Sequence, residues 1–495
     1  MDNERLIDES DSSIPEPAKQ LGSIKVEEPP TNDMAKTKSR YLMLFFACFL
    51  CFGNYYIYDN PSALQPQLEK RLNMNSFEFN MLYSVYSFPN VILPLFGGYF
   101  IDAIGVRWGI IIFSGFICLG QAIFAIGVDA GSYPIAVIGR CVFGLGGESQ
   151  NVAQSTIVSA WFSGKELAMA LGMNVSISRL GSVFNDLTEP AFDSLTGSVD
   201  FGIWFGFGLC LASMACGFAL IAMDKKRDIK LGVLDKKIES DKVKWSDLKT
   251  FNFSFWLISI NCLVVYICVL CFNNIASDYF QTRFGFSSVI AGVLISITYS
   301  ISAVLCPIIG FYIDRVGNRA TLITISAVIM VIVHTIFIII PDCDQCAWGA
   351  LDLVLLGLGY SLYASVMWAS VPLVVEPKTV GSAFGIVTAI QNFGLAFGPM
   401  VVGAIHDNSS GEDGYLWVSF FFIIMGILGV ITAIILQIND KKTGGVLNSS
   451  NPKEALKLML TTKKATIVSD QSLHEHLDTV DKEKNGLNND EKSSS

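Results

Sequence analysis

The sequence predicts an all-α membrane protein with twelve transmembrane helices in two parallel six-helix repeats, and three observations predict it. Of 495 residues, 52% are hydrophobic and only 16% charged, well below the roughly 25% charged content of soluble domains, and the mean hydropathy is +0.49. Of the 78 Lys, Arg, Asp and Glu residues, 48 fall in 1–40, 224–250 and 438–495, which leaves long, nearly charge-free stretches elsewhere. Finally, Gly98, Asp102, Gly105 and Arg107 in GYFIDAIGVR recur as Gly310, Asp314, Gly317 and Arg319 in GFYIDRVGNR at an offset of 212, and Gly144, Gly146, Gly172 and Gly181 recur as Gly357, Gly359, Gly385 and Gly394 at 213. Two separate blocks with nearly one offset indicate a duplicated half.

Runs of about 20 apolar residues, long enough to cross the hydrocarbon of a bilayer, lie near 41–58, 79–100, 109–128, 135–158, 167–187 and 201–223. Six more lie near 253–275, 287–310, 319–341, 348–372, 381–404 and 415–437. The domain plan is therefore a tail at 1–40, a six-helix bundle at 41–223, a central loop at 224–250, a second bundle at 251–437 and a tail at 438–495. Ser, Asn, Glu, Lys and Pro dominate the tails and the loop, a composition of solvated chain. Twelve spans put both termini on one side. That side is cytosolic by the distribution of basic residues: fourteen flanking Lys and Arg fall there, against Lys70, Arg71 and Arg283 opposite. Met1 to Arg40 is acidic and polar, so no cleavable signal is expected and the first span directs insertion.

The same arithmetic excludes other classes. A net charge of −10 offers no basic patch to nucleic acid, and most of the twelve Cys sit in apolar runs, where they act as small hydrophobes. Cys343 and Cys346 share one loop and could pair, but two Cys without His make a poor metal site. No P-loop, His-Glu-x-x-His or nucleophile elbow occurs, so neither an enzyme nor a resident cofactor is expected.

Charged residues inside spans cost several kcal/mol, about 2.5–3.5 on insertion scales, and mark functional sites. Arg140, Glu148 and Arg179 are such residues. At 1.5 Å per residue, Glu148 and Arg179 come out near the membrane midplane at similar depth. The repeat supplies a control: at offset 213 they correspond to Ser361 and Asn392, so the fold itself does not demand either charge. A carboxylate opposite a guanidinium fork suits a zwitterion such as an amino acid or short peptide; a plain buried ion pair is the competing reading. Trp368, Gln391 and Asn392 lie at matching depth in spans ten and eleven and are candidates for the opposite wall.

The repeated Gly-Asp-Gly-Arg loops and Arg140-x-x-x-Gly144-x-Gly146 resemble the signature of the major facilitator superfamily. Closer still, YDNPSALQ, YSFPNVILPLFGGYFID, RCVFGLGGES, WFSGKEL, SRLGS and AIQNFGLAF resemble the major facilitator superfamily domain-containing protein one family from about Tyr41 to Leu436. The resemblance implies a lysosomal membrane carrier that exports dipeptides by alternating access, with Glu148 and Arg179 at the peptide termini, and a single-pass accessory subunit, the glycosylated lysosomal membrane protein. Asp102 with Arg107 or Arg140, and Asp314 with Arg319, would act as latches on the cytosolic face. Asp2, Leu6 and Ile7 match the spacing of a dileucine signal read by clathrin adaptors, and Asn408 is the one lumenal acceptor for a glycan. The Glu-x-x-Glu-Arg cluster of proton-driven peptide porters is absent from span one, so a uniporter with broad side-chain tolerance is expected. A carrier for another organic anion or sugar, and a non-transporting lysosomal sensor or scaffold, are the alternatives.

Overall fold

The computed structural model describes residues 39–162, 165–231, 251–340, 348–375, 379–409 and 414–451. Their regular structure is helical throughout. The first half comprises α1 (Ser39–Ala63), α2 (Gln65–Leu72), α3 (Ser76–Asn90), α4 (Leu93–Ile104), α5 (Val106–Asp129), α6 (Tyr133–Trp161), α7 (Lys165–Thr196) and α8 (Val199–Leu231). The second comprises α9 (Phe253–Tyr266), a π-turn at Ile267–Cys271, α10 (Phe272–Phe284), α11 (Ser288–Val316), α12 (Arg319–Ile339), α13 (Trp348–Ser370), α14 (Val380–Asn408) and α15 (Gly414–Lys442).

Each of the twelve expected spans falls on a helix or a broken helix. Among the described residues nine helices have the length and apolarity to cross a membrane; the other three spans coincide with α3–α4, α6 and α7. The first of these breaks between Asn90 and Leu93, beside Pro89 and Pro94, because proline removes a backbone donor and crowds the preceding turn. The other two carry polar side chains inward, Glu148, Gln150 and Gln154 on α6 and Asn174, Arg179 and Asn185 on α7.

Small residues let the helices pack at backbone distance, as membrane bundles require. A Cβ on Gly120 of α5 would lie 2.4 Å from the Phe143 amide of α6, and one on Gly139 the same distance from the Phe124 amide. Asn439 at the end of α15 bonds Ser254 at the start of α9, Arg107 at the start of α5 bonds Asp224 near the end of α8, and Arg40 at the start of α1 lies over the Phe162 ring just after α6, whose end Arg227 of α8 reaches at the Ala160 carbonyl; the face that gathers these ends is here the tail face. α2 lies at the far face. The two halves meet where α3 and α4 pack on α14 and α7 packs on α11, pairs that the internal duplication relates.

Two expectations are corrected here. Arg140 does not join a tail-face latch: it is fully buried toward the far face, about 10 Å up α6 from Tyr133, and donates to the carbonyls of Ile57 at 3.0 Å and Tyr58 at 3.1 Å. Pro61 explains the first contact, since it has no N–H to offer the carbonyl four residues back; the rings of Tyr58, Tyr83, Tyr86 and Phe143 surround the guanidinium. The second tail also does not start at 438. α15 runs to Lys442, the chain reverses at Gly444 and Gly445, both at positive φ, and 446–449 hook back onto the α11–α12 turn. There the Asn318 and Arg319 amides donate to Asn448 and Leu447, Asp440 accepts from the Leu447 amide at 2.9 Å, and Leu447 is buried. The first residues of the central loop, 224–231, likewise continue α8.

Candidate functional site

A cavity of about 1230 Å³ lies between the halves. It extends from Asp59, Tyr299 and Ser182 toward the tail-face portions of α7 and α11, where Leu171, Gly172, Gly310 and Phe311 line it. Its volume exceeds the roughly 300–1,000 Å³ of common small-molecule pockets, leaving room around a ligand of a few residues.

Glu148 reaches the cavity because of the glycines before it. Gly144 and Gly147 have no side chain where Tyr86 lies against α6; a Cβ would fall 2.2 Å from the Tyr86 carbonyl oxygen at the first and 2.3 Å from its hydroxyl at the second. Asn54 of α1 donates to the Gly147 carbonyl at 3.2 Å. The next residue, Glu148, is half-buried and opens on the cavity.

Arg179 enters from the opposite direction. Gly181 brings α7 onto the α1 backbone, where a Cβ would sit 2.5 Å from the Phe52 carbonyl oxygen, and this approach helps set the height of Arg179. Its guanidinium crosses to the second half and donates to Ser302, to Cys306 Sγ at 2.9 Å and to the Tyr360 hydroxyl at 3.3 Å, over whose ring it lies at 4.8 Å. These partners are uncharged. Neither Glu148 nor Arg179 forms an ion pair among the described residues, so the cavity holds a carboxylate and a guanidinium that do not neutralise one another. A guanidinium has five N–H donors, and three hydrogen bonds leave some free for a carboxylate.

The cavity also brings together Trp368, Gln391 and Asn392. Trp368 donates to the Tyr266 hydroxyl at 2.8 Å and stacks near Phe384, while the Asn392 amide is returned to its own helix at Thr388; Gln391 lines the wall. Of the expected latch residues, Arg107 pairs with Asp224 at 2.7 Å and with Asp228, both at the end of α8 in its own half. Arg319 is held through its backbone by the hook. The Asp102 and Asp314 side chains lie outside the described part, as do Asp2, Leu6, Ile7, Cys343 and Cys346. Asn408 is exposed at the end of α14 on the far face. No group of three His, Cys, Asp or Glu that could hold a metal occurs among the described residues.

Sequence reasoning missed part of the wall. Ser302, Cys306 and Tyr360, which hold Arg179, looked like ordinary residues of apolar spans; the available signal was the set of tyrosines at Tyr55, Tyr86, Tyr266, Tyr299 and Tyr360, since a hydroxyl in a span needs a partner. Asp59, one residue past the first expected span at 41–58, is 3% exposed, lines the cavity and accepts from the Tyr299 hydroxyl at 3.4 Å. Asp186 and Glu189 are buried on α7, the latter accepting from Asn60 at 2.8 Å.

Residues 44–375 and 347–471 match the Major Facilitator Superfamily. The chain belongs to this superfamily. Within it, the lysosomal dipeptide transporter MFSD1 of Homo sapiens is 36% identical over 444 residues, covering 88% of this chain and 93% of its own. The protein of that name from Gallus gallus is 34% identical over 435 residues, covering 86% and 91%. These identities place the chain in the MFSD1 family of the superfamily. Among solved structures, the peptide transporter POT in complex with sulfate superposes with a TM-score of 0.65 at 11% identity over 82% of this chain and 96% of its own. The nucleoside transporter NupG does so at 0.61 and 14%, over 81% and 99%. At such identities both speak for the superfamily fold alone.

Proposed function

We propose that this protein is a carrier of the lysosomal membrane that exports dipeptides to the cytosol by alternating access, as a uniporter tolerant of many side chains. The observation that carries the reading is that Glu148 and Arg179, which form no ion pair among the described residues, share one cavity between the halves. Glu148 receives the peptide ammonium, Arg179 grips the carboxylate through its remaining donors, and Trp368, Gln391 and Asn392 form the facing wall. A site that recognises only the termini leaves side chains to the spare volume. The relatives' names supply dipeptide and lysosome; the excess of Lys and Arg on the tail face makes that face cytosolic and the far face lumenal. The cavity, reaching the tail-face ends of α7 and α11, is then the cytosol-facing side of the cycle.

Around this core, Asp102, Arg107, Asp314 and Arg319 act on the cytosolic face as conformational clamps, Asp2, Leu6 and Ile7 serve as the sorting signal for clathrin adaptors, and Asn408 carries a glycan. A glycosylated single-pass subunit covers the lumenal face. The deciding experiment is counterflow of a labelled dipeptide in liposomes with the purified protein, beside Glu148→Gln and Arg179→Ala checked for folding. Loss of uptake in both folded variants supports the reading; binding without counterflow points to a sensor, and absence of binding to a different solute.

A further inference from the structure

The halves touch along two seams that the duplication relates, α3 with α14 and α7 with α11, and at the far face the two seams are fastened differently. The first amides of a helix have no partner within it. At the start of α3, Asn75 and Glu78 form a capping box, Asn75 Oδ1 accepting from the Glu78 amide at 2.8 Å and the Glu78 carboxylate from the Asn75 amide at 3.0 Å. The Ser76 and Phe77 amides are left over, and both donate to the carboxylate of Asp407, at 3.2 and 2.8 Å, from the end of α14 in the other half. The surroundings hold that carboxylate in place. His406 Nδ1 lies 2.9 Å from the Ser76 hydroxyl, and its ring lies 4.7 Å from that of Tyr415. Gly403 brings the two backbones together, since a Cβ there would lie 2.6 Å from Phe77 Cα. A negative group at a helix N-terminus is favourable, and this one joins the two halves.

The repeat shows that the fold does not demand this fastening. Asn75 and Ser287, the residues before α3 and α11, correspond at offset 212, and the Ser287 hydroxyl caps α11 locally, accepting from the Ile290 amide at 3.4 Å. At offset 213 Asp407 corresponds to Ser194, which is exposed at the end of α7. The carboxylate beside it, Asp193, accepts from Gln67 at 3.2 Å within its own half. What brings α7 and α11 together at this level is close packing, since a Cβ on Gly292 would fall 2.1 Å from the Asp186 carbonyl oxygen.

We propose that Asp407 is a one-sided latch of the far face: seated on the Ser76 and Phe77 amides, its carboxylate holds the closed form, and the far face opens only when it leaves them. These bonds run between the halves, so any rocking that separates α3 from α14 must break them. The Ser287 cap and the Asp193–Gln67 bond each lie within one half and ride through the same motion intact. Once apart, the two amides and the carboxylate are hydrated, so the latch is worth about as much as one helix cap rather than the full strength of two hydrogen bonds. A catch of that size biases the cycle without freezing it. The inference rests on the alternating access proposed above and not on the identity of the substrate.

The test reads distances and needs no substrate. Spin labels on genetically encoded residues, which leave the twelve cysteines alone, are placed at exposed far-face positions of the full chain in nanodiscs. Lys70 on α2 with Trp417 on α15, and Leu195 on α7 with Ile290 on α11, report across the halves, and Lys70 with Leu195 reports within the first half as the check on folding. Double electron–electron resonance is expected to show a longer cross-half population whose ratio to the short one rises roughly three- to thirty-fold in Asp407→Ala, with the within-half distance unchanged. Ser76→Pro attacks the contact from the other side. Proline suits the first position of a helix, and Asn75 before it is already extended, at φ −88 and ψ 176, so this variant keeps α3 and stands in if Asp407→Ala does not fold. It shifts the ratio in the same direction by less, because the Phe77 amide stays bonded, and the double variant gives less than the product of the separate effects. Ser194→Ala, at the repeat-related position, leaves the ratio at the parent's value. An unchanged far-face ratio in folded Asp407→Ala, or an equal rise in Ser194→Ala, overturns the latch; the expected shifts in a protein whose parent shows no dipeptide counterflow would overturn the substrate reading only.

Discussion

Arg179 is held by hydroxyls and a thiol rather than by a carboxylate, so its charge is available to a ligand. In the proposed site it forms a charge-assisted pair with the ligand carboxylate, and Arg179→Lys keeps the charge while losing the planar fork. Dipeptide affinity is expected to fall at least about tenfold in Arg179→Lys, near 1.4 kcal/mol, as measured by scintillation proximity or thermal shift with ligand. Affinity equal to the parent would mean that the guanidinium serves the α7–α11 contact and not the ligand. Arg140 offers the contrast of a charge that builds structure. Arg140→Ala strips the Ile57 and Tyr58 carbonyls of their donor and should cost about 3 kcal/mol, seen as a lowered detergent melting temperature with ligand affinity intact in the protein that remains folded.

At the scale of elements, the hook after α15 braces the second half in the place where the first half uses side chains. Arg107 reaches Asp224 and Asp228 at the end of α8, whereas Asp440 near the end of α15 binds amides of 447 and 448, and these residues in turn receive the Arg319 and Asn318 amides. The duplicated halves thus solve one problem, tying the end of the sixth helix to the turn before the third, with two chemistries. Leu447 is 1% exposed; Leu447→Ala should destabilise by about 2 kcal/mol, and Gly445→Val, at φ +68, by about 1 kcal/mol or more. Thermal denaturation of the purified variants checks both, and a melting temperature unchanged in either would mean that the hook contributes no stability.

At the scale of the whole molecule, the halves touch through glycines that act as hinges of contact. A Cβ on Gly292 of α11 would fall 2.1 Å from the Asp186 carbonyl of α7 at the far face. Gly292→Ala should therefore wedge the far face apart and shift the population away from the form whose cavity reaches the tail face, raising labelling of far-face thiols while leaving the circular dichroism unchanged. Unaltered labelling would argue that α7 and α11 yield locally and that the wedge is absorbed.

The sequence by itself determined the order of the helices, the duplication and the two charges of the cavity, because each is a one-dimensional signal: hydrophobic length, offset and an ion where lipid forbids one. It could rank Glu148 and Arg179 above Arg140 since Arg140 belongs to the Arg140-x-x-x-Gly144-x-Gly146 signature of the fold, but it could not say what each one touches. Depth along a helix is legible, and rotation and neighbour are not. Only the tertiary structure decided that Arg140 serves the carbonyl that Pro61 leaves bare, that Arg179 crosses to Ser302, Cys306 and Tyr360 instead of pairing with Glu148, and that Asp407 caps a helix some 330 residues earlier in the chain. Those choices depend on which backbone groups are left without partners when twelve segments pack, a condition that no local stretch of sequence contains.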